Sequence, residues 1–104
     1  MDRGEVWWAD LPVPVGRRPV LILTRSSAVA VRNQVVVAQV TRSVHGIPSE
    51  VALTRSDGMP RDCVINCDVL ITVSKSRLLR RIAKLSSAKL VEINQAIRFA
   101  LDLP

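Results

Sequence analysis

The stretch GRRPVLILT, Gly16 to Thr24, contains two adjacent arginines, a proline and then an apolar run of strand length. A continuous run of this kind predicts a strand that is covered on both faces. Charge directly before such a strand marks either a solvated strand end or a functional group whose position is fixed by the core. The other strands and motifs of the chain decide between these two interpretations.

Segments on both sides of this run have the pattern of further strands. Four of them are rich in β-formers: GEVWWADLP (4–12), QVVVAQVT (34–41), SEVALT (49–54) and CVINCDVLITV (63–73), the last of which makes one strand or two. RSSAVAVRN (25–33) predicts a turn or a short helix. RLLRRIAKL (77–85) predicts another strand, although its apolar and basic residues also fit a helix imperfectly.

The C-terminal part of the chain changes to a helical pattern. Ser86 or Ser87 is placed to cap a helix, and the apolar residues that follow recur at helical spacing: Leu90, Ile93, Ile97 and Leu101. Five to seven short strands followed by one helix predict a single domain over residues 1–104, a small antiparallel β-barrel with the helix packed on it.

The composition points to a folded protein with an anionic partner. Nearly half of the residues are hydrophobic, which argues against disorder, and the formal net charge is +6. Twelve of the 15 cations are arginine, whose planar guanidinium suits contacts with phosphate, so nucleic acid is favoured. The sequence predicts neither a membrane span nor a signal peptide, and therefore a cytoplasmic protein.

Cysteine and histidine are too few for a convincing metal site. Cys63 and Cys67 form a single pair, and His45 is the only histidine. Alternation along a strand places both cysteines on one face, where free cysteine packs as a small hydrophobe. We expect no metal, no cofactor and no disulfide.

The order of motifs resembles the MazF/PemK/Kid toxins of bacterial toxin–antitoxin systems. RGEVWWADLP, GRRPVLILT, VVVAQVTRSVHGIPSEVAL and VINCD follow one another, with a C-terminal helix after them. The resemblance implies an SH3-like barrel, a homodimer, metal-independent cleavage of single-stranded RNA (mainly mRNA), and neutralisation by an antitoxin with an acidic C-terminal segment. Its catalytic arginine falls on Arg18, and its active-site threonine falls on Thr41.

The residue chemistry agrees with that assignment. RNA carries its own nucleophile, the 2'-hydroxyl, so an enzyme must align the attack, accept a proton and stabilise the charge on phosphate. Arg18 suits charge stabilisation, and the Thr41 hydroxyl suits orientation of the nucleophile. Beside them Arg17, Arg42, Ser43 and His45 are predicted RNA contacts, with a weaker case for His45 as a base.

Two departures from the family pattern affect the proton transfers. Val13 stands where some members have a glutamate, and Asn66 stands where Kid-like members have an arginine before the sequence Cys-Asp. Asp68 matches the family's aspartate and is the remaining candidate for a base or an orienting group. Asn66 is then a predicted RNA contact.

Three features keep other interpretations open. Trp7 and Trp8 are able to stack on bases, but alternation puts at least one of them in packing. KSRLLRRIAK (75–84) is either a phosphate track or a solvated face. A CcdB-like toxin with a protein target, or a nucleic-acid-binding module without catalysis, are the alternatives to a ribonuclease.

Overall fold

A computed structural model describes all 104 residues. Its strands are β1 (Glu5–Asp10), β2 (Arg17–Ile22), β3 (Gln34–Thr41), β4 (Glu50–Leu53), β5 (Cys63–Ser74) and β6 (Leu78–Lys84). Its helices are α1 (Ser26–Val29) and α2 (Ser87–Ala100), with 3-10 turns at Arg55–Asp57 and Lys75–Arg77.

All six strands form one antiparallel sheet in the order β4-β5-β3-β2-β1-β6. The sheet curls into a half-barrel, and α2 packs on it, which confirms the predicted fold class. The segment RLLRRIAKL is a strand, as the first interpretation predicted, and RSSAVAVRN contains the short helix α1.

Two apolar clusters cover the two faces of the sheet. Along β3, Val35 and Val37 belong to one cluster, whereas Ala38 and Val40 belong to the other. This division follows from the two-residue period of a strand. On β2, Val20, Leu21 and Ile22 are fully buried, because β2 has a strand on each side and a cluster on each face. The two-sided burial predicted for RPVLILT is confirmed.

The strand β5 is continuous but irregular. Ala38 of β3 pairs with Leu70, whereas the next residue, Gln39, pairs with Asn66, so residues 67–69 form a bulge without partners in β3. A bulge bends a strand and redirects its side chains. The sequence left one or two strands open here, and the structure has a single strand of 12 residues.

The helix α2 begins as predicted and ends differently. The side chain of Ser86 accepts a hydrogen bond from the Lys89 backbone N–H at 3.1 Å. Ile93 is fully buried, but Leu101 is 52% exposed, so the prediction that Leu101 continues the buried stripe is wrong. The helix ends at Ala100, and Ala96 instead takes the buried position in the last turns.

Both cysteines lie in the cluster beneath α2, as alternation along the strand predicted. Burial, with a smaller contribution from the neighbouring Asp68 carboxylate, raises the pKa of the Cys67 thiol to about 11. The thiol is therefore protonated at neutral pH and packs as an apolar side chain.

Candidate functional site

Arg18 is held at the beginning of a rigid strand. It lies two residues before the buried Val20, opposite Ala9 of β1, and its side chain is half-buried. Its Nη1 donates a hydrogen bond to Oε1 of Gln39 on β3 at 3.2 Å. A guanidinium with an anchored backbone and a bound side chain is a positioned charge, so the solvated-strand-end interpretation of Arg18 does not describe its environment.

Thr41 lies on the same face and toward the same end of the sheet. Val20 on β2 pairs with Gln39 on the antiparallel strand β3. Arg18 lies two residues before Val20 and Thr41 lies two residues after Gln39, so both lie toward the same end of these two strands. Residues two apart on a strand face the same way, about 7 Å apart along the strand. The Thr41 hydroxyl accepts a hydrogen bond from the Ser43 N–H at 3.2 Å, and it keeps its own proton for donation.

A row of polar side chains extends this face across three strands. Gln39 pairs with Asn66 on β5, and Asn66 pairs with Glu50 on β4. Directly paired residues of antiparallel strands share a face. Arg18, Gln39, Thr41, Asn66 and Glu50 therefore line one surface, which we call the polar face.

Glu50 organises the loop between β3 and β4. Its side chain is only 4% exposed, and its Oε1 accepts hydrogen bonds from the backbone N–H groups of His45 and Gly46, both at 2.9 Å. Its Oε2 lies 3.0 Å from Nδ1 of His45. Burial by itself raises the pKa of Glu50, but the hydrogen bonds from His45 and Gly46 outweigh it, and the pKa is lowered.

Asp68 lies in the bulge of β5, and its carboxylate and its backbone N–H have different partners. Its Oδ2 accepts a hydrogen bond from Oγ of the fully buried Ser49 at 2.5 Å, and its backbone N–H donates to Oδ1 of Asn66 at 2.9 Å. No hydrogen bond joins its carboxylate to Arg18 or Thr41. The structure thus brings Arg18, Thr41 and Asn66 together and ties Asp68 to Ser49.

The remaining predicted contacts are exposed. Arg42, Ser43 and His45 follow Thr41 in the loop, all with exposed side chains. Arg17 is also exposed but faces away from Arg18, since adjacent strand residues point to opposite faces. It lines a groove of about 490 Å³ with Trp8, Leu79 and Arg80.

The tryptophans and the basic segment divide between packing and surface. Trp7 packs against the apolar cluster that contains Val35 and Val37, and its Nε1 donates a hydrogen bond to Oε1 of Glu5 at 2.8 Å.

In the basic segment, Nζ of Lys75 donates a hydrogen bond to the carbonyl oxygen of Val29 at 2.6 Å, and Nη1 of Arg81 lies 3.7 Å from Oε2 of Glu5. Part of KSRLLRRIAK therefore contacts other residues of the protein, while Arg77, Arg80 and Lys84 are exposed.

Sequence reasoning missed Gln39, Glu50 and Ser49. Gln39 and Ser49 are ordinary residues in strand-like segments, and only the register of the sheet brings them to Arg18 and Asp68. Glu50 had a local signal, a glutamate placed after the HGIPS turn where its carboxylate can reach back to the turn's N–H groups.

No group of three or more His, Cys, Asp or Glu side chains is arranged to hold a metal ion, and no helix is long and apolar enough to cross a membrane.

Replacing Glu50 with glutamine should lower the free energy of unfolding at pH 7, because a neutral amide oxygen is a weaker acceptor for the loop's N–H groups. The folded-state pKa of Glu50 lies below its ordinary value of 4.5, so its stabilising effect is complete above that value and is lost as the pH falls through the folded pKa. The difference in free energy of unfolding between wild type and Glu50→Gln, measured by urea titration, should therefore become smaller below about pH 4.5. Glu92→Gln, at an exposed helix position, is the matched control. An equal gap at pH 7 and pH 3 would contradict this role for the carboxylate.

Comparison with known proteins identifies relatives over nearly the whole chain. A family model described as the PemK-like, MazF-like toxin of type II toxin–antitoxin systems matches residues 2–101. Probable endoribonuclease MazF2 of Mycobacterium tuberculosis is 42% identical over 99 residues, covering 94% of this chain and 95% of the relative. Probable endoribonuclease MazF5 of the same species is 37% identical over 101 residues, covering 96% and 92%.

Solved structures agree with the sequence relatives. The Mycobacterium tuberculosis toxin MazF-mt6 superposes with a TM-score of 0.89 at 32% identity, covering 96% of this chain and 98% of that one. A mycobacterial endoribonuclease in complex with its cognate antitoxin gives the same TM-score at 28% identity, covering 100% and 97%. Fold, motif order and relatives agree, and the chain belongs to the PemK-like, MazF-like toxins of type II toxin–antitoxin systems.

Proposed function

We propose that this chain is the toxin of a toxin–antitoxin pair and a sequence-specific endoribonuclease that cleaves single-stranded RNA, mainly mRNA, in the cytoplasm. The observation that carries the proposal is the half-buried Arg18, held by Gln39 and placed on the same face as Thr41. The relatives named endoribonuclease support this activity over a CcdB-like protein target or a binding module without catalysis.

The reaction uses the 2'-hydroxyl of the RNA as the nucleophile. Its oxygen attacks the adjacent phosphorus, the bond from phosphorus to the 5'-oxygen breaks, and the hydroxyl proton leaves to a base while the 5'-oxygen gains a proton. The products are a 2',3'-cyclic phosphate, which can open to a 3'-phosphate, and a 5'-hydroxyl. No step requires a metal or an organic cofactor.

Arg18 stabilises the negative charge that grows on the phosphate oxygens. Gln39 occupies one N–H of its guanidinium, and the other N–H groups remain for phosphate. Because the charge is already in position, little reorganisation accompanies the reaction. Thr41 orients the 2'-hydroxyl or a phosphate oxygen through its hydroxyl group.

Asp68 is the proposed base or orienting carboxylate, and Ser49 holds one of its oxygens. His45 is the second candidate for the base, because Glu50 binds Nδ1 and leaves Nε2 at an exposed position. Arg42, Ser43 and Asn66 bind the RNA beside the reacting phosphate. Arg17, which lies on the opposite face of the sheet, contacts the RNA away from that phosphate.

Replacing Arg18 with alanine should lower the rate of cleavage of a synthetic RNA by about 100- to 1000-fold, since a preorganised charge-stabilising donor is lost. Arg17→Ala is the matched control: it removes the same charge from the adjacent residue on the opposite face, and it should weaken binding only mildly. Both variants are assayed in excess chelator, with circular dichroism to verify folding. Wild-type rates for Arg18→Ala would refute the assignment.

Two partners follow from the same proposal. The protein forms a homodimer with an RNA groove shared or flanked by both subunits. An antitoxin with an acidic, partly disordered C-terminal segment covers the polar face, because a surface with a net charge of +6 attracts acidic peptides as well as RNA.

Light scattering of the purified protein should give twice the chain mass of 11.5 kDa.

Saturating acidic antitoxin peptide should displace an uncleavable RNA analogue, and the displacement curve should shift with salt because RNA binding depends on phosphate neutralisation. An active monomer would exclude the dimer, and a ternary complex with the analogue still in this groove would exclude inhibition by occlusion.

A further inference from the structure

The polar face contains two side-chain amides whose orientation is fixed by chemistry. The Arg18 guanidinium carries only N–H donors, so the Gln39 atom that it contacts at 3.2 Å must be the carbonyl oxygen. The backbone N–H of Asp68 is also only a donor, so the Asn66 atom that it contacts at 2.9 Å must be the oxygen as well. The usual ambiguity between the oxygen and nitrogen of an amide does not arise at these two residues.

Both amides therefore leave their NH₂ groups without a partner inside the protein. No hydrogen bond within the protein uses Nε2 of Gln39 or Nδ2 of Asn66, and no buried side-chain nitrogen or oxygen lacks a partner, so both groups are accessible to solvent. The two residues are direct cross-strand partners, which places their Cβ atoms about 5 Å apart. Two adjacent donor groups are thus available to one ligand.

The neighbouring acceptor on this face is already occupied. The Glu50 carboxylate, next to Asn66 in the row, is taken up by His45 and Gly46. On the other side of Gln39 the guanidinium of Arg18 adds further donors and no acceptor. Beside the reacting phosphate, the floor around Gln39 and Asn66 offers N–H donors to whatever binds there.

We propose that Gln39 and Asn66 read a nucleobase beside the scissile phosphate and select a keto base, uracil or guanine, over cytosine or adenine. The inference rests on the proposed RNA cleavage for its substrate. A base flipped out of a single strand exposes its edge to such a site. Uracil and guanine present a carbonyl oxygen where cytosine and adenine present an amino group, which would set one donor against another. A site built for hydrogen bonding rejects the wrong partner strongly, because its own polar groups are left unpaired.

Binding of DNA heptamers tests the pair without any cleavage. Fluorescein-labelled heptamers of deoxyuridine and deoxycytidine lack the 2'-hydroxyl and carry the same backbone charge. Their bases differ at C4, which carries an oxygen in uracil and an amino group in cytosine, and at N3, which is an N–H donor in uracil and an acceptor in cytosine. We expect the wild-type protein to bind the deoxyuridine heptamer about 10-fold more tightly, the discrimination typical of a specific base contact. The ratio of the two affinities should not change with salt concentration, because the phosphates contribute equally to the binding of both heptamers. Equal affinities would overturn the proposal.

Gln39→Glu and Asn66→Asp each replace an NH₂ donor with a carboxylate oxygen, and each should bring the affinity ratio to about one or below. Gln34→Glu is the control: it makes the same charge change on the same strand, at an exposed residue on the opposite face. It should weaken both heptamers equally and leave the ratio at its wild-type value. A ratio unchanged in both Gln39→Glu and Asn66→Asp would overturn the proposal, and having two variants guards against one that fails to fold.

The ribonucleotide heptamers separate this inference from the proposed function. If the wild-type protein cuts oligouridylate but binds both deoxy heptamers equally, the base-reading pair is wrong and the nuclease assignment stands. If the protein prefers the deoxyuridine heptamer but cuts no ribonucleotide heptamer and no mixed-sequence RNA, the nuclease assignment fails and the reading of a base by Gln39 and Asn66 is supported.

Discussion

The hydrogen bond from Arg18 to Gln39 fixes the charge on which the proposed chemistry depends. An arginine side chain is flexible, and ordering it costs conformational entropy. Here the cost is met during folding, because β2 is fully buried at Val20, Leu21 and Ile22 and Gln39 receives the guanidinium at the strand end. The guanidinium is therefore in place before RNA arrives, which is the condition for effective charge stabilisation.

The bulge in β5 links this site to the core. Three consecutive residues have three different environments: Asn66 lies on the polar face, the Cys67 side chain is buried beneath α2, and the Asp68 carboxylate is held by Ser49. A regular strand would alternate these residues between two faces only. The extra residues of the bulge allow the carboxylate to turn toward β4 while Asn66 stays paired with Gln39.

Much of the fold was predictable from the sequence because its signals are local. The apolar run after Arg18, the strand pattern of Gln34–Thr41 and the cap at Ser86 each depend on neighbouring residues, and each is present in the structure. Leu101 was predicted wrongly because helical spacing does not reveal where a helix ends. The single long β5 was not predictable, since its continuity depends on pairing with β3 and β4.

The residues of the candidate site also differ in whether the sequence predicts them. Arg18, Thr41 and Asn66 were predicted through the resemblance to the MazF/PemK/Kid toxins, but Gln39 and Ser49 carry no signal in the sequence. Their importance comes from the register that sets Gln39 opposite Asn66 and from the contact of Ser49 with Asp68. Register depends on which strands pair and which faces are buried, so the residues around Gln39 or Ser49 do not reveal it by themselves.

In the proposed mechanism, a positioned arginine and the RNA's own 2'-hydroxyl perform the cleavage. Mass spectrometry of the ends of a synthetic RNA, cut by the wild-type protein in excess chelator, tests it most directly. Attack by the 2'-hydroxyl should leave a 5'-hydroxyl on one fragment and a 2',3'-cyclic phosphate, or the 3'-phosphate formed when it opens, on the other. A 5'-phosphate with a 3'-hydroxyl, which arises when water or a metal-bound hydroxide is the nucleophile, would contradict it.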